Sequence, residues 1–265
     1  MRAFEPIMVQ EIDTFIKHLF GLSKSGALIN MTPMCRHLSY DTAAHLGFGS
    51  SLNLQTDPTN RFLPKAISIG DLRINICMNF PLLMKWRLHQ RIADNVPNSL
   101  RDRFFEALNI MEDDAEPLVI DGHVIPRGTQ VAVNIYSLHH NTEYFPDPCS
   151  YRPERWLEDA LHSEAAKKVM SDAFAPFSVG SRSCAGKAMA YLEVSLTLAK
   201  TLWYFDFEAA AGESGNLGGG TPARSGGRNR VDEFQLYDRF SAHHEGPNLV
   251  FHPRENTYNE LGMAA

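Results

Sequence analysis

The hydrophobic positions of the first hundred residues recur at helical spacing. Over residues 4–20, Met8, Ile12, Phe15, Ile16 and Leu19 share one face, and Gly21 with the run SKSG after it reads as the stop. The stretch INMTPMCRHLSYDTAAHLGFG, residues 29–49, reads as a second helix, with Thr32 as N-cap, Pro33 at the first helical position and Gly47 near the end. Residues 60–84 predict a third helix broken at Pro81, and residues 87–111 a fourth. The pattern then changes. Residues 112–117 are acidic and extended, and LVIDGHVIPRGTQVAVNIYSLHHN alternates apolar and polar positions. Asp121-Gly122 and Pro126-Arg127-Gly128 supply turns between the β-rich runs, so a small sheet is expected. A loop rich in proline and aromatic residues follows at 144–159. Residues 187–204 return to a helix, with Ala188, Leu192, Ser195, Ala199 and Leu202 on one stripe. Residues 209–230, rich in Gly and Ser, read as a flexible surface loop, and EFQLYDRF with PNLVFHPR as a terminal pair of strands. The expected class is mainly α with a small β region (α+β). The two blocks, 1–111 helical and 112–265 carrying the cysteine loop, together make one domain.

Composition narrows the function classes. A chain of 265 residues with 44% hydrophobic content can bury a core. Its net charge of −6 and the absence of a basic run argue against nucleic-acid binding. Residues 74–86 form the most apolar stretch, which is too short for a membrane span, and no signal peptide is read at the start. The four cysteines, Cys35, Cys77, Cys149 and Cys184, form no CxxC pair; they read as reduced thiols, with the first three buried or half-buried.

The fourth stands apart. In FAPFSVGSRSCAGKAMAYLEV, residues 174–194, Cys184 lies between Gly180 and Gly186, two residues after Arg182, with a helix starting behind it. A helix N-terminus offers unpaired N–H groups and a positive dipole end to a thiolate. Glycines admit tight turns and leave room for a flat ligand, and Arg182 can grip an anionic group through its fork. Phe177 can cover the sulfur. Such an ensemble suits an axial thiolate on a carboxylate-bearing metal macrocycle. Two other readings stay open on the residues alone. Cys184 could be a nucleophile, although no motif ties His139-His140 or His243-His244 to it, or it could be a plain buried thiol.

FSVGSRSCAG, residues 177–186, resembles the haem-binding signature of the cytochromes P-450. YRPERW, with Pro153, Glu154 and Arg155, resembles the meander of that family, and residues 121–148 resemble the sheet and helix before it. The C-terminal tail and residues 29–49 resemble parts of fungal microsomal members. The resemblance implies haem b (iron protoporphyrin IX) with Cys184 as its iron ligand. It implies Arg182 on a propionate, Phe177 beside the sulfur, Gly180 and Gly186 fitting the loop under the ring, and Arg155 in a structural ion-pair cluster with Pro153 and Glu154 around it. The implied activity is oxidation of a small lipophilic substrate with O₂ and electrons from an NADPH-dependent reductase, in fungal secondary metabolism. The implied location is the cytoplasm or the periphery of the endoplasmic reticulum.

Departures from the family pattern carry equal weight. The central oxygen-side helix with its acid-alcohol pair is not found, and Asp41-Thr42 sits in a different helix. The Glu-x-x-Arg helix is not found either; Glu154 and Glu193 stand in the wrong places to replace it. Arg155 is thus expected to lack its carboxylate, at a cost on the order of 3–5 kcal/mol if desolvated. The family's N-terminal anchor is not seen. Residues 109–122 join a middle-region helix directly to the late sheet, as an internal deletion would. The alternative to a monooxygenase is an inactive, truncated remnant that binds haem weakly or serves as an interaction module.

Overall fold

The computed structural model describes residues 4–79, 118–120, 122–126, 131, 133–157, 163–180, 183–225, 228–231, 233–237 and 242–254, with side chains of 72–79 and 118 excluded. The fourth helix expected at 87–111, the acidic 112–117, the turn at 127–128 and the 109–117 part of the junction lie outside these residues.

The described residues form a mixed helix and sheet fold with six helices and two small antiparallel sheets. Helix α1 spans Glu5–Ser23, as its apolar stripe predicts, and Met8, Ile12, Phe15, Ile16 and Leu19 are all buried. Each such side chain contributes about 1.5–3 kcal/mol of transfer free energy. A two-residue strand β1, Ile29–Asn30, leads into helix α2, Met31–Phe48. The caps of α2 differ from those read in the sequence. Asn30 is the N-cap, its side chain accepting from the Thr32 N–H at 2.9 Å, and Gly49 ends the helix at φ +77°. The Thr32 hydroxyl is committed elsewhere, donating to the Gly246 carbonyl at 2.9 Å. Helix α3 spans Phe62–Asn79.

Asp41, almost fully buried, accepts from the N–H groups of Leu54 (2.9 Å) and Gln55 (3.0 Å). Arg61 donates to the carbonyls of the same two residues at 2.8 and 3.1 Å. The segment after α2 is thereby pinned back onto it.

The hairpin expected around Gly122 is present, with Asp121 outside the described residues. Strands β2 (Leu118–Ile120) and β3 (His123–Ile125) pair in a hairpin, Ile120 opposite His123, with Gly122 at φ +79°. Short helices α4 (Ile135–His139) and α5 (Glu164–Ala173) follow. Helix α6 spans Lys187–Tyr204 and runs straight into strand β4, Phe205–Ala209. Strand β5, Asn248–Pro253, is the middle of a three-stranded sheet with β4 on one side and β1 on the other. The terminal strand therefore pairs with β4 and β1, and not with the described residues 233–237 of the segment 233–240 that the sequence suggests. The described part of that segment contributes single bridges, Gly219 to Phe234 and Tyr237 to His243. Residues 209–230 are not simply an open loop: Ala210 and Gly220 are buried, and a Cβ on Gly220 would fall 1.9 Å from the Arg230 carbonyl oxygen.

Helices α1, α2 and α6 pack with the sheet around one core, closed by Phe20, Phe205 and Phe251. An ion pair of Lys200 with Asp13 links α6 to α1. The stripe read on α6 is divided. Leu192 reaches the core together with Met189, Leu196 and Tyr204, whereas Ala188, Ser195, Ala199 and Leu202 are exposed. Among the described residues no helix is long and apolar enough to cross a membrane.

Candidate functional site

The cysteine loop is set by backbone hydrogen bonds. The Cys184 N–H donates to the Phe177 carbonyl at 2.8 Å, the Ser183 N–H to Gly180 at 3.1 Å, and the Ser178 N–H to Ala175 at 3.0 Å. Ser178 and Gly180 both take positive φ, +60° and +72°. A Cβ on Gly180 would meet nothing within 4 Å, so the backbone angle and not a shortage of space calls for glycine there. Gly186 is different: it has ordinary φ, and a Cβ would stand 3.8 Å from the Cys184 sulfur, in contact but without a clash.

Gly186 is the N-cap of α6 and gives it no side-chain cap. The Lys187 N–H at the start of α6 donates to the Cys184 carbonyl at 3.3 Å, so Cys184 sits directly before the positive end of the helix dipole. Cys184 itself is exposed. Phe177 is half-buried and leans on Tyr191 of α6, ring centroids 5.1 Å apart. It does not seal the thiol from water by itself, contrary to the sequence expectation. Arg182 lies outside the described residues.

The meander is built around Arg155. Pro153 opens a short 3₁₀ turn, Pro153–Trp156, in which Glu154 is exposed. The Arg155 guanidinium donates to the carbonyls of Arg152 (3.2 Å), Pro146 (2.9 Å), Asp147 (3.0 Å) and Ser150 (3.4 Å). The expectation of an orphaned cation is thus corrected: carbonyl oxygens of its own loop take the place of a carboxylate. Glu193, weighed as a distant partner, instead accepts from the Ser39 hydroxyl at 2.7 Å and ties α6 to α2. Asp41-Thr42, set aside as an acid-alcohol pair, sits in α2, where Asp41 holds backbone as described above.

The nucleophile reading finds no support in the geometry. His139 Nε2 is taken up by the Ala175 N–H at 3.0 Å, and His243 Nδ1 by Arg36 at 3.3 Å. Among the described residues no group of three or more metal-ligating side chains occurs. The expectation that the first three cysteines are buried or half-buried is corrected at Cys35, which is exposed; Cys149 is half-buried, and the side chain of Cys77 is not described. A cleft of about 240 Å³, lined by Cys35, Arg36, Tyr40, Asp71 and His243 among others, lies at α2 and α3, away from Cys184. Sequence reasoning missed the part played by His139 and its aromatic neighbours. The only signal was a histidine pair just before a Pro-aromatic loop, which names no partner.

What these residues define is a helix-dominated mixed fold in which an exposed thiol, Cys184, stands in a glycine-flanked loop directly before the long helix α6. The sequence profile of the cytochrome P450 family matches residues 98–217, a segment that includes the meander turn, the Cys184 loop and α6. A cytochrome P450 monooxygenase of Gibberella zeae is 43% identical over 136 residues, covering 51% of this chain and 30% of that relative. Cytochrome P450 monooxygenase AKT7 of Alternaria alternata is 43% identical over 140 residues, covering 52% and 27%. Cytochrome P450 monooxygenase apf8 of Gibberella fujikuroi is 45% identical over 132 residues, covering 49% and 34%. The chain is thus similar to fungal cytochrome P450 monooxygenases over about half its length, and it spans about a third of the length of these three relatives. The profile match begins at residue 98, so the likeness read for residues 29–49 lies outside it.

Proposed function

We propose that the chain is a haem-thiolate monooxygenase segment of the cytochrome P450 type, with Cys184 as the axial ligand of haem b. The observation that carries this reading is the exposed Cys184 thiol, held by the Cys184–Phe177 backbone bond at the uncapped start of α6. The donor set fits the group: one sulfur on an open surface, glycine on its near side, and no competing metal-ligating cluster among the described residues. When bound, haem supplies oxygen activation, and a thiolate ligand pushes electron density toward the iron to favour O–O cleavage. The protein's own residues do the holding. By the resemblance, Arg182 would hold a propionate, Phe177 would flank the sulfur, and Gly180 and Gly186 would let the loop accept a flat macrocycle. Pro153, Glu154 and Arg155 would hold the meander turn.

The substrate class is a small lipophilic molecule of fungal secondary metabolism; the relatives' names support the monooxygenase reaction. Electrons come from an NADPH-dependent reductase, and the chain works at the periphery of the endoplasmic reticulum or in the cytoplasm. It is read as one domain built from 1–111 and 112–265, without the family's oxygen-side and Glu-x-x-Arg helices.

Titration of the purified chain with haemin tests the reading. Uptake with one-to-one stoichiometry that Cys184→Ala abolishes is the expected result. Absence of uptake, or uptake indifferent to that substitution, would favour an inactive remnant.

A further inference from the structure

Helix α4 reaches the cysteine loop through one side chain. The Ala175 N–H donates to His139 Nε2 at 3.0 Å. A backbone N–H can only donate, so Nε2 is an acceptor, and the imidazole is neutral with its proton on Nδ1. The bond is the first of a short series. The Ala175 carbonyl accepts from the Ser178 N–H at 3.0 Å, and one residue before Ser178 the Phe177 carbonyl accepts from the Cys184 N–H at 2.8 Å.

Aromatic contacts hold the imidazole in place. It stacks on Phe174 at 5.4 Å with the ring planes 27° apart, and meets Phe145 edge-on at 5.6 Å. Trp156 of the meander lies 4.9 Å from Phe174 and 6.4 Å from Phe145. Phe145 is only 5% exposed. Four side chains from α4, the Pro-aromatic loop, the meander and the start of the cysteine loop therefore meet in one cluster. His139 is the member whose side chain bonds to the loop's backbone. Burial, and then the neighbouring His140, hold its pKa below the ordinary imidazole value, which keeps the acceptor nitrogen free.

We propose that His139 is a positioning residue for the Cys184 thiol, acting through the Ala175 N–H to fix the turn from which the ligand loop hangs. The link to iron ligation rests on the reading of Cys184 given above; the link to loop geometry does not. Two substitutions separate ring packing from hydrogen bonding. His139→Phe keeps an aromatic ring against Phe174 and Phe145 but offers no acceptor. His139→Gln offers an acceptor oxygen with no ring.

Amide exchange in the haem-free chain reads the loop directly. His139→Phe is expected to speed exchange at Ala175 and the amides up to Cys184 by about tenfold, and His139→Gln to restore most of the protection. Unchanged exchange in His139→Phe would overturn the proposal. In the haemin-loaded chain, His139→Phe should lower the thiolate-ligated fraction, with recovery in His139→Gln. Should the unsubstituted chain take up no haem, the ligand reading fails while the exchange measurement still decides the role of His139. A nitrogen-15 spectrum of the unsubstituted chain needs no variant at all. A neutral His139 protonated at Nδ1 is the expected state, and a proton on Nε2 at neutral pH would refute the proposal even if both variants misfold.

Discussion

Two parts of the molecule are held together by different physics. Around α1, α2, α6 and the β1-β5-β4 sheet, large apolar side chains interdigitate, with Phe15, Ile12, Ile16, Leu19, Phe205 and Phe251 at or below 1% exposure. Around the meander and the cysteine loop, residues 134–186, only Phe145 and Met170 are buried hydrophobics among the described residues. There the shape is set by donors finding acceptors: Arg155 on the carbonyls of its own loop, the Ala175 N–H on His139, Cys184 on Phe177. The first region tolerates no loss of volume. The second tolerates loss of volume but not loss of hydrogen-bond partners, and it leaves its sulfur open to a ligand.

Substitutions can break this contrast. The largest effect is expected at Phe15. Phe15→Ala empties a fully packed site and should cost about 3–5 kcal/mol in chemical denaturation, whereas half-buried Phe177→Ala should cost about 1 kcal/mol. Equal costs would erase the distinction. Next comes Asp41→Ala, which strands the buried N–H groups of Leu54 and Gln55 and should cost about 2–3 kcal/mol. Asp41→Asn, which keeps one acceptor oxygen, should recover part of that.

Arg155→Ala should be milder, about 1–2 kcal/mol, because the site is half exposed and water can reach the freed carbonyls. Its mark is local: faster amide exchange over 145–157 with little change near α1. Arg155→Lys should behave almost like the alanine variant, since one ammonium cannot span four carbonyls.

Acid gives the smallest effect. His18 and His37 have pKa values lowered by burial and then by Arg61, and His139 by burial and then by His140. Each binds its proton more readily in the unfolded chain. Stability is therefore complete above the unfolded value of about 6.5 and declines as pH falls from there through the lower folded values. A melting temperature that rises on acidification through this window would contradict these directions.

The sequence made the apolar architecture legible wherever period and caps agreed. The α1 stripe, the DG hairpin and the span of α6 are all read from spacing. Helix caps were displaced because Thr32 found a long-range acceptor in Gly246, which no local pattern announces. The terminal strand pairing was misread for a similar reason, since β5 joins strands 40 residues and more away rather than its neighbour in sequence. At the site, the five-position signature named Cys184, Phe177, Gly180, Arg182 and Gly186 without any geometry. What it could not carry was the supporting layer. Arg155 was expected to need a carboxylate, yet a loop of Pro and Asp can curl its carbonyls around a guanidinium. His139 gave no sign of its partner because that partner is a backbone N–H.

A carbon monoxide difference spectrum puts the sulfur–iron bond to the test in a single experiment. The chain is loaded with haemin, reduced, and exposed to carbon monoxide. Ligation by Cys184 predicts the strongly red-shifted Soret band of a thiolate-ligated carbonyl haem, lost in Cys184→Ala. A band at the position given by a nitrogen-ligated or unligated haem, unchanged by that substitution, would contradict it.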